Sequence, residues 1–112
     1  MKRYFRLTKN FEFMNVYRAG KRWSCAYFTM YVKKNNLERT RLGVSISKKV
    51  GKSVVRNRLK RRIKEIFRQS MGNIKKGYDV VISVKPEMAN IEYEQIKKEI
   101  KSILKRGRIW ND

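Results

Sequence analysis

The sequence predicts an α+β fold: a small single-layer sheet packed with helices, in the order α-β-β-α-β-α, with room for one further short strand. Stretches 23–33, 42–47 and 78–84 are rich in the β-branched and aromatic residues of strands. Three other stretches place apolar residues at helical spacing beside capping and stopping residues. No linker, internal repeat or low-complexity segment separates them, so residues 1–112 read as a single domain with one core.

Residues 1–7 are basic and are expected to stay flexible until a partner orders them. Thr8 or Asn10 can cap a first helix running to Ala19, where Gly20 supplies a stop. Phe13 and Tyr17 share one face of that helix, and Phe11, Met14 and Arg18 another. Aromatics at helical spacing are ordinarily core, yet two apolar sides exceed what one core contact requires. The strand 23–33 turns Ala26, Phe28, Met30 and Val32 toward the core and Tyr27, Thr29 and Tyr31 away from it. Asn35 and Asn36 begin a turn, and residues 38–41 make a polar lead into the next strand. There Leu42, Val44 and Ile46 point inward, and Gly43, Ser45 and Ser47 outward. The two strands are expected to pair as an antiparallel hairpin. Their outward rows would then form a shallow face of aromatics and hydroxyls, with room for an unpaired nucleic-acid strand.

The chain is organised around the stretch KKVGKSVVRNRLKRRIKEIFR, from Lys48 to Arg68, in which Glu65 is the only acid. As a helix from Val54, with Ser53 as its cap, it aligns Val55, Leu59, Ile63, Ile66 and Phe67 in one apolar stripe spanning roughly 120°. Arg58, Lys60, Arg61, Arg62, Lys64 and Arg68 fan across the remaining arc. A helix face of mixed charge is ordinarily just solvated. Here nearly one sign is present, and neighbouring cations repel unless a polyanion relieves them. Arg56 falls inside the apolar arc and is expected at the helix mouth rather than as a free surface charge.

Gly72 and Asn73 stop the basic helix, and Lys76-Gly77 leads into YDVVISV at 78–84, an apolar run typical of a central strand. Pro86 ends that strand. Asn90 is the expected cap of a last helix, with Glu92 and Glu94 in its first turn and Tyr93, Ile96, Ile100, Ile103 and Leu104 as its buried stripe.

Thirty Lys and Arg against nine Asp and Glu leave a net charge of +21, a field that concentrates phosphates. The single Cys25 excludes an internal disulfide and a cysteine-based zinc site, and is expected to be a small buried apolar residue. No apolar run reaches membrane-spanning length and no signal-peptide pattern opens the chain, so a cytoplasmic protein without a membrane partner is expected. There is no His, and the acids are scattered singly apart from Glu92 and Glu94. No residue is therefore expected to be catalytic, and none to ligate a metal.

Val55-Arg56-Asn57-Arg58 followed by Lys60-Arg61 resembles the Arg-Asn-Arg signature of bacterial ribonuclease P proteins. The likeness extends over nearly the whole chain. Phe13 and Tyr17 stand where that family has first-helix aromatics, and residues 42–49, LGVSISKK, are similar to the strand leading into its motif. Residues 78–84 with Lys85-Pro86 resemble its last strand and exit.

A βαβ crossover is right-handed by general rule, but the resemblance implies the unusual left hand of a ribosomal S5 domain 2-like fold. Residues 1–112 would then be a single RNA-binding domain. It also implies the protein subunit of ribonuclease P, an endoribonuclease that removes the 5′ leader of precursor tRNA. The expected partners are the catalytic RNA and precursor tRNA, with no DNA. Lys52, Arg56, Asn57, Arg58, Lys60, Arg61, Arg62, Lys64 and Arg68 would bind the catalytic RNA. Phe13, Tyr17, Tyr31, Ser45, Ser47, Lys48 and Lys49 would bind the single-stranded leader. Mg²⁺ would be held chiefly by RNA, with none bound by the protein alone. A ribosomal or other structural RNA-binding protein, and a DNA-binding regulator with its basic helix in a major groove, are the competing classes. The aromatic and hydroxyl face favours single-stranded RNA over duplex DNA.

Overall fold

The apolar run Tyr78–Val84 lies in the middle of the sheet, because both of its faces must be covered. Val80 and Ile82 are fully buried on one side and Val81 on the other, so this strand cannot be an edge. The computed structural model describes residues 5–111. Its elements are α1 (Asn10–Ala19), β1 (Lys21–Ser24), β2 (Phe28–Lys34), β3 (Arg41–Ser45), α2 (Ser53–Ser70), β4 (Tyr78–Val84) and α3 (Tyr93–Arg106). This is the expected α+β arrangement, with β1 as the further short strand.

The strand order is β1-β2-β4-β3. β2 pairs antiparallel with β1 and with β4, while β3 pairs parallel with β4. The expected hairpin between the second and third strands is therefore not formed: β4 inserts between them, and β3 reaches β4 through the α2 crossover. Stretch 23–33 is not one strand either. It folds back at Cys25–Tyr27, where the Cys25 amide donates to the Phe28 carbonyl at 3.0 Å. The bend breaks the alternation, so Ala26 is exposed and Tyr27 packs on the main core instead of joining Thr29 and Tyr31. Cys25 is only half-buried, with a free thiol.

The main core lies on one face of the sheet. Phe28, Met30, Leu42 and Ile82 meet Leu59, Ile63, Ile66 and Phe67 of α2 and Ile96, Ile100, Ile103 and Leu104 of α3. Both stripes expected from helical periodicity are the buried ones. The opposite face carries a smaller cluster of Leu7, Val16 and Val81, edged by Phe13, Tyr17 and Tyr31, and α1 covers it.

The helix starts differ from expectation. Lys9, Lys52 and Glu92 occupy the N-cap positions, none with a side-chain cap. Ser53 is already helical, and its hydroxyl accepts from Arg56 Nη2 at 3.1 Å. Asn90 ends a 3₁₀ turn over Pro86–Asn90, leaving Ile91 and Glu92 extended before α3. At α1 the amides of Thr8 and Lys9 donate instead to the Glu12 carboxylate, at 3.0 and 2.9 Å. The expected flexible N-terminus also needs revision within the described residues. Arg6 bridges Leu42 at the outer edge of β3, and buried Leu7 donates its amide to the Leu42 carbonyl at 2.9 Å. Residues 1–4 lie outside the described residues.

Two substitutions test this arrangement by urea denaturation. Ile63→Ala, in the fully buried stripe, should lose about 2–5 kcal/mol. Ser53→Ala should cost clearly less than the ~1 kcal/mol of a lost N-cap, because Lys52 and not Ser53 holds that position.

Candidate RNA interface

The face of the sheet under α1 is built in rows. Strand register aligns Arg22, Tyr31, Val81 and Gly43 across the sheet, and beside them Ser24, Thr29, Ser83 and Ser45. α1 covers the first row. Val16 seats on Val81, and the Tyr17 and Tyr31 rings meet edge-to-face at 4.8 Å and 81°. The Phe13 ring lies over Gly43, where an added Cβ would come within 2.7 Å of it. Glycine at 43 thus lets the aromatic settle directly on the strand.

The second row stays clear of α1 and presents hydroxyls, with Ser24 Oγ and Thr29 Oγ1 in contact at 3.1 Å. Lys85 Nζ reaches Ser24 Oγ at 2.9 Å and the Cys25 carbonyl at 2.6 Å, adding a cation beside the row. Of the sequence-derived residues, Phe13, Tyr17, Tyr31 and Ser45 come together here. Ser47, Lys48 and Lys49 continue from the end of β3, all exposed. Thr29, Ser83 and Lys85 complete the surface. The signal for Ser83 was present in YDVVISV, where Asp79, Val81 and Ser83 alternate onto one face.

The expected second surface is α2. Lys52, Asn57, Arg61 and Arg68 are exposed, and Lys60, Arg62 and Lys64 half-exposed. Arg56 sits at the helix mouth, as its position in the apolar arc implied, donating through Nε to the Gly51 carbonyl at 3.1 Å. Arg58 is not a free member of the ridge. Its Nη2 leans toward the Ala89 carbonyl at 3.4 Å, and its Nε is buried with no hydrogen-bond partner among the described residues. Arg68 is held by Glu65 through its Nε at 3.0 Å and a second contact from Nη2. Burial, then the neighbouring Arg6 and Lys60 cations, hold Lys64 below the usual lysine range. The two surfaces meet at Lys48–Arg56, the passage from β3 to α2.

A charged node joins α1 to the sheet. Arg41 donates through Nε and Nη2 to both oxygens of Asp79, at 2.9 and 2.8 Å, and through Nη1 to Glu12 at 2.9 Å. Asn35 Nδ2 donates to Asp79 at 2.9 Å and to the Arg39 carbonyl at 3.1 Å. These acids, single in sequence, are thus brought together by one guanidinium. The hydrogen bonds to Asp79 raise the Arg41 pKa further. Burial would raise that of Glu12, but the Thr8 and Lys9 amides and Arg41 outweigh it, and the carboxyl falls below its ordinary range. Both carboxylates are engaged by Arg41, and among the described residues no three of His, Cys, Asp and Glu converge.

The family model described as Ribonuclease P matches residues 1–108 of the chain. The chain belongs to the bacterial ribonuclease P protein family. A ribonuclease P protein component of Clostridium botulinum strain Langeland is 45% identical over 107 residues, which cover 95% of this chain and 96% of that relative. The ribonuclease P protein structure of Staphylococcus aureus superposes with a TM-score of 0.89 at 30% identity, covering 96% of this chain and 98% of that one. That of Thermotoga maritima gives 0.84 at 31% identity, covering 90% and 96%. Ribonuclease P proteins serve tRNA processing as part of a ribonucleoprotein, and this chain is such a subunit by family. Among the described residues no helix is long and apolar enough to cross a membrane.

The charged node carries a pH prediction. Glu12 has a folded pKa below its ordinary value of 4.5, so its contribution is fully present above that value and is lost as pH falls through the folded pKa. Thermal melts should therefore show wild type more stable than Glu12→Gln at neutral pH, with the gap narrowing below about pH 4.5. A gap independent of pH would mean that Glu12 acts by packing alone.

Proposed function

We propose that this ribonuclease P protein grips two RNAs at once: the catalytic RNA along α2, and the single-stranded 5′ leader of precursor tRNA on the α1-covered face of the sheet. The observation that carries the reading is the shared border of the two surfaces. Aromatic rings and hydroxyls run through Ser45, Ser47, Lys48 and Lys49 directly into the cations of α2, without an intervening acid.

The roles derive from side-chain chemistry. Phe13, Tyr17 and Tyr31 offer rings on which unpaired bases stack without sequence being read, at about 1–3 kcal/mol per base. Ser45, Thr29 and Ser83 donate to and accept from sugar and base edges, and Lys48 and Lys49 hold leader phosphates. Lys52, Asn57, Lys60, Arg61, Arg62 and Lys64 contact phosphates of the catalytic RNA, while Arg56 spans the junction. Arg58 orders the α2–α3 side more than it reaches outward, and Arg68 contributes once RNA displaces Glu65. The catalytic groups belong to the RNA, and Mg²⁺ is held chiefly by its phosphates. The protein offsets phosphate repulsion and positions the substrate.

Substitution separates the surfaces. Lys52→Ala and Arg61→Ala should weaken assembly with the catalytic RNA, each lowering the log–log salt slope by roughly 0.7–0.9. Phe13→Ala and Tyr31→Ala should leave assembly near wild type but raise the dissociation constant for leader-bearing precursor tRNA about tenfold, with little change for mature tRNA. Circular dichroism and thermal melts establish that the aromatic variants fold. Folded variants losing both tRNA forms equally would rule out a leader-binding role for this face. A second check uses the protein alone, which should not cleave precursor tRNA at the mature 5′ end with or without Mg²⁺. Cleavage there by RNA-free protein would overturn the assignment of catalysis to the RNA.

A further inference from the structure

At the end of the sheet remote from the α2 mouth, a cavity of about 750 Å³ opens between the start of β1, the end of β2 and the turn after α3. Its volume lies in the range of small-ligand sites. Trp23 and Tyr78 supply aromatic surface, and Lys21, Lys33, Lys34, Arg106 and Arg108 supply charge; no acid lines it among the described residues. Lys33 is half-buried and the other four cations are exposed; none is paired with a carboxylate among the described residues, and Arg106 Nη1 donates to the Ser24 carbonyl at 3.4 Å.

The aromatic wall of this cavity lies on the other side of the sheet from the proposed leader face. Trp23 pairs in register with Met30, on the main-core side of the sheet, whereas Tyr31 and the hydroxyl row lie on the other side. Along β4, Tyr78 stands at one end and Val84 at the other, a distance of about 20 Å at the usual rise per residue. The cavity is also held in shape. Gly107 packs so closely that a Cβ there would lie 2.8 Å from Met30 Cε and 3.6 Å from the Trp23 ring. Arg108 then adopts a left-handed φ of 60°, at the turn that carries it to the rim.

We infer that this cavity binds an unpaired nucleotide of an RNA strand, its base against Trp23 and Tyr78 and its phosphates on Lys21, Arg106 and Arg108. A flat ring beside cations without carboxylate partners is the combination that single-stranded nucleic acid requires. A bare anion would have no use for the aromatic walls, and a neutral ligand none for the charge. The site gives the protein a third hold on RNA, at the opposite end of the sheet from the α2 mouth.

The test uses the full chain carrying Trp110→Phe, which leaves Trp23 as the only indole. Hexaadenylate should quench Trp23 emission and bind at least about tenfold more tightly than adenosine monophosphate. Adding Lys21→Gln, Arg106→Gln and Arg108→Asn should raise the dissociation constant about tenfold or more through lost phosphate contacts. These positions are exposed, and Asn tolerates the left-handed conformation at 108, so the fold survives where Trp23→Ala would open the core. Phe13→Ala should leave the Trp23 signal unchanged, which keeps this test independent of the leader-face reading. The inference is overturned if the triple substitution has no effect or if Phe13→Ala removes the quench. Equal quenching by inorganic tripolyphosphate would overturn the base contact, and equal affinity for the monophosphate would overturn the strand.

Discussion

The position of α1 depends on Arg41. The apolar contact beneath that helix is small, limited to Leu7, Val16, Val81 and three partly buried aromatics. So little area leaves the helix free to slide or pivot on the sheet unless something directional fixes it. Arg41 does so by holding Asp79 on β4 with two of its nitrogens and Glu12 on α1 with the third. Glu12 in turn holds the amides that start the helix. Partly buried ion pairs recover little net free energy after desolvation, but their geometry is exacting. The node therefore acts mainly on orientation, and what it orients is Phe13, one residue beyond Glu12, over Gly43.

The same node shapes the electrostatics of the exterior. Asp79 and Glu12 are turned inward, and Glu65 is occupied by Arg68, so three of the few acids neutralise cations that the fold itself uses. The net +21 charge that remains after every acid is counted is distributed over the surface with little internal compensation. Lys64 records the consequence, its ammonium disfavoured by burial and by Arg6 and Lys60 nearby. A folded chain under this repulsion gains most from a polyanion that touches several cations together. Cationic ground at both ends of the sheet suits an extended RNA better than a small ligand.

What the sequence revealed divides along a physical line. Local periodicity marked the buried stripes of α2 and α3 and the inward residues of β3, because helix and strand geometry fix which side chains share a face. Pairing between strands distant in sequence was not legible. The insertion of β4 between β2 and β3 reflects its two-sided burial, and the run 78–84 signalled that burial without naming its neighbours. Tyr27 was misplaced because a bend at Cys25–Tyr27 resets the alternation, and nothing in WSCAYFT marks it with Gly or Pro. The Arg41 node was hidden for a different reason: Glu12, Arg41 and Asp79 are far apart in the chain and acquire meaning only in the folded sheet. The Arg-Asn-Arg stretch was legible as a cationic helix, but its periodicity could not separate the exposed Arg61 from Arg58, which lies against Ala89.

Phe13, Tyr17 and Tyr31 show why a core role does not preclude the binding role proposed for them. Each ring is partly buried, with one side committed to α1, Gly43 or a neighbouring ring and the remainder open. The buried side removes rotamer freedom before any ligand arrives, so stacking does not have to order the side chain again. A fully exposed ring would incur that entropy on binding, and a fully buried one could not bind. Half-burial is thus the condition under which a short helix, resting on a small apolar contact and fixed by one guanidinium, can hold its rings rigid while leaving them open, as the proposed leader face requires.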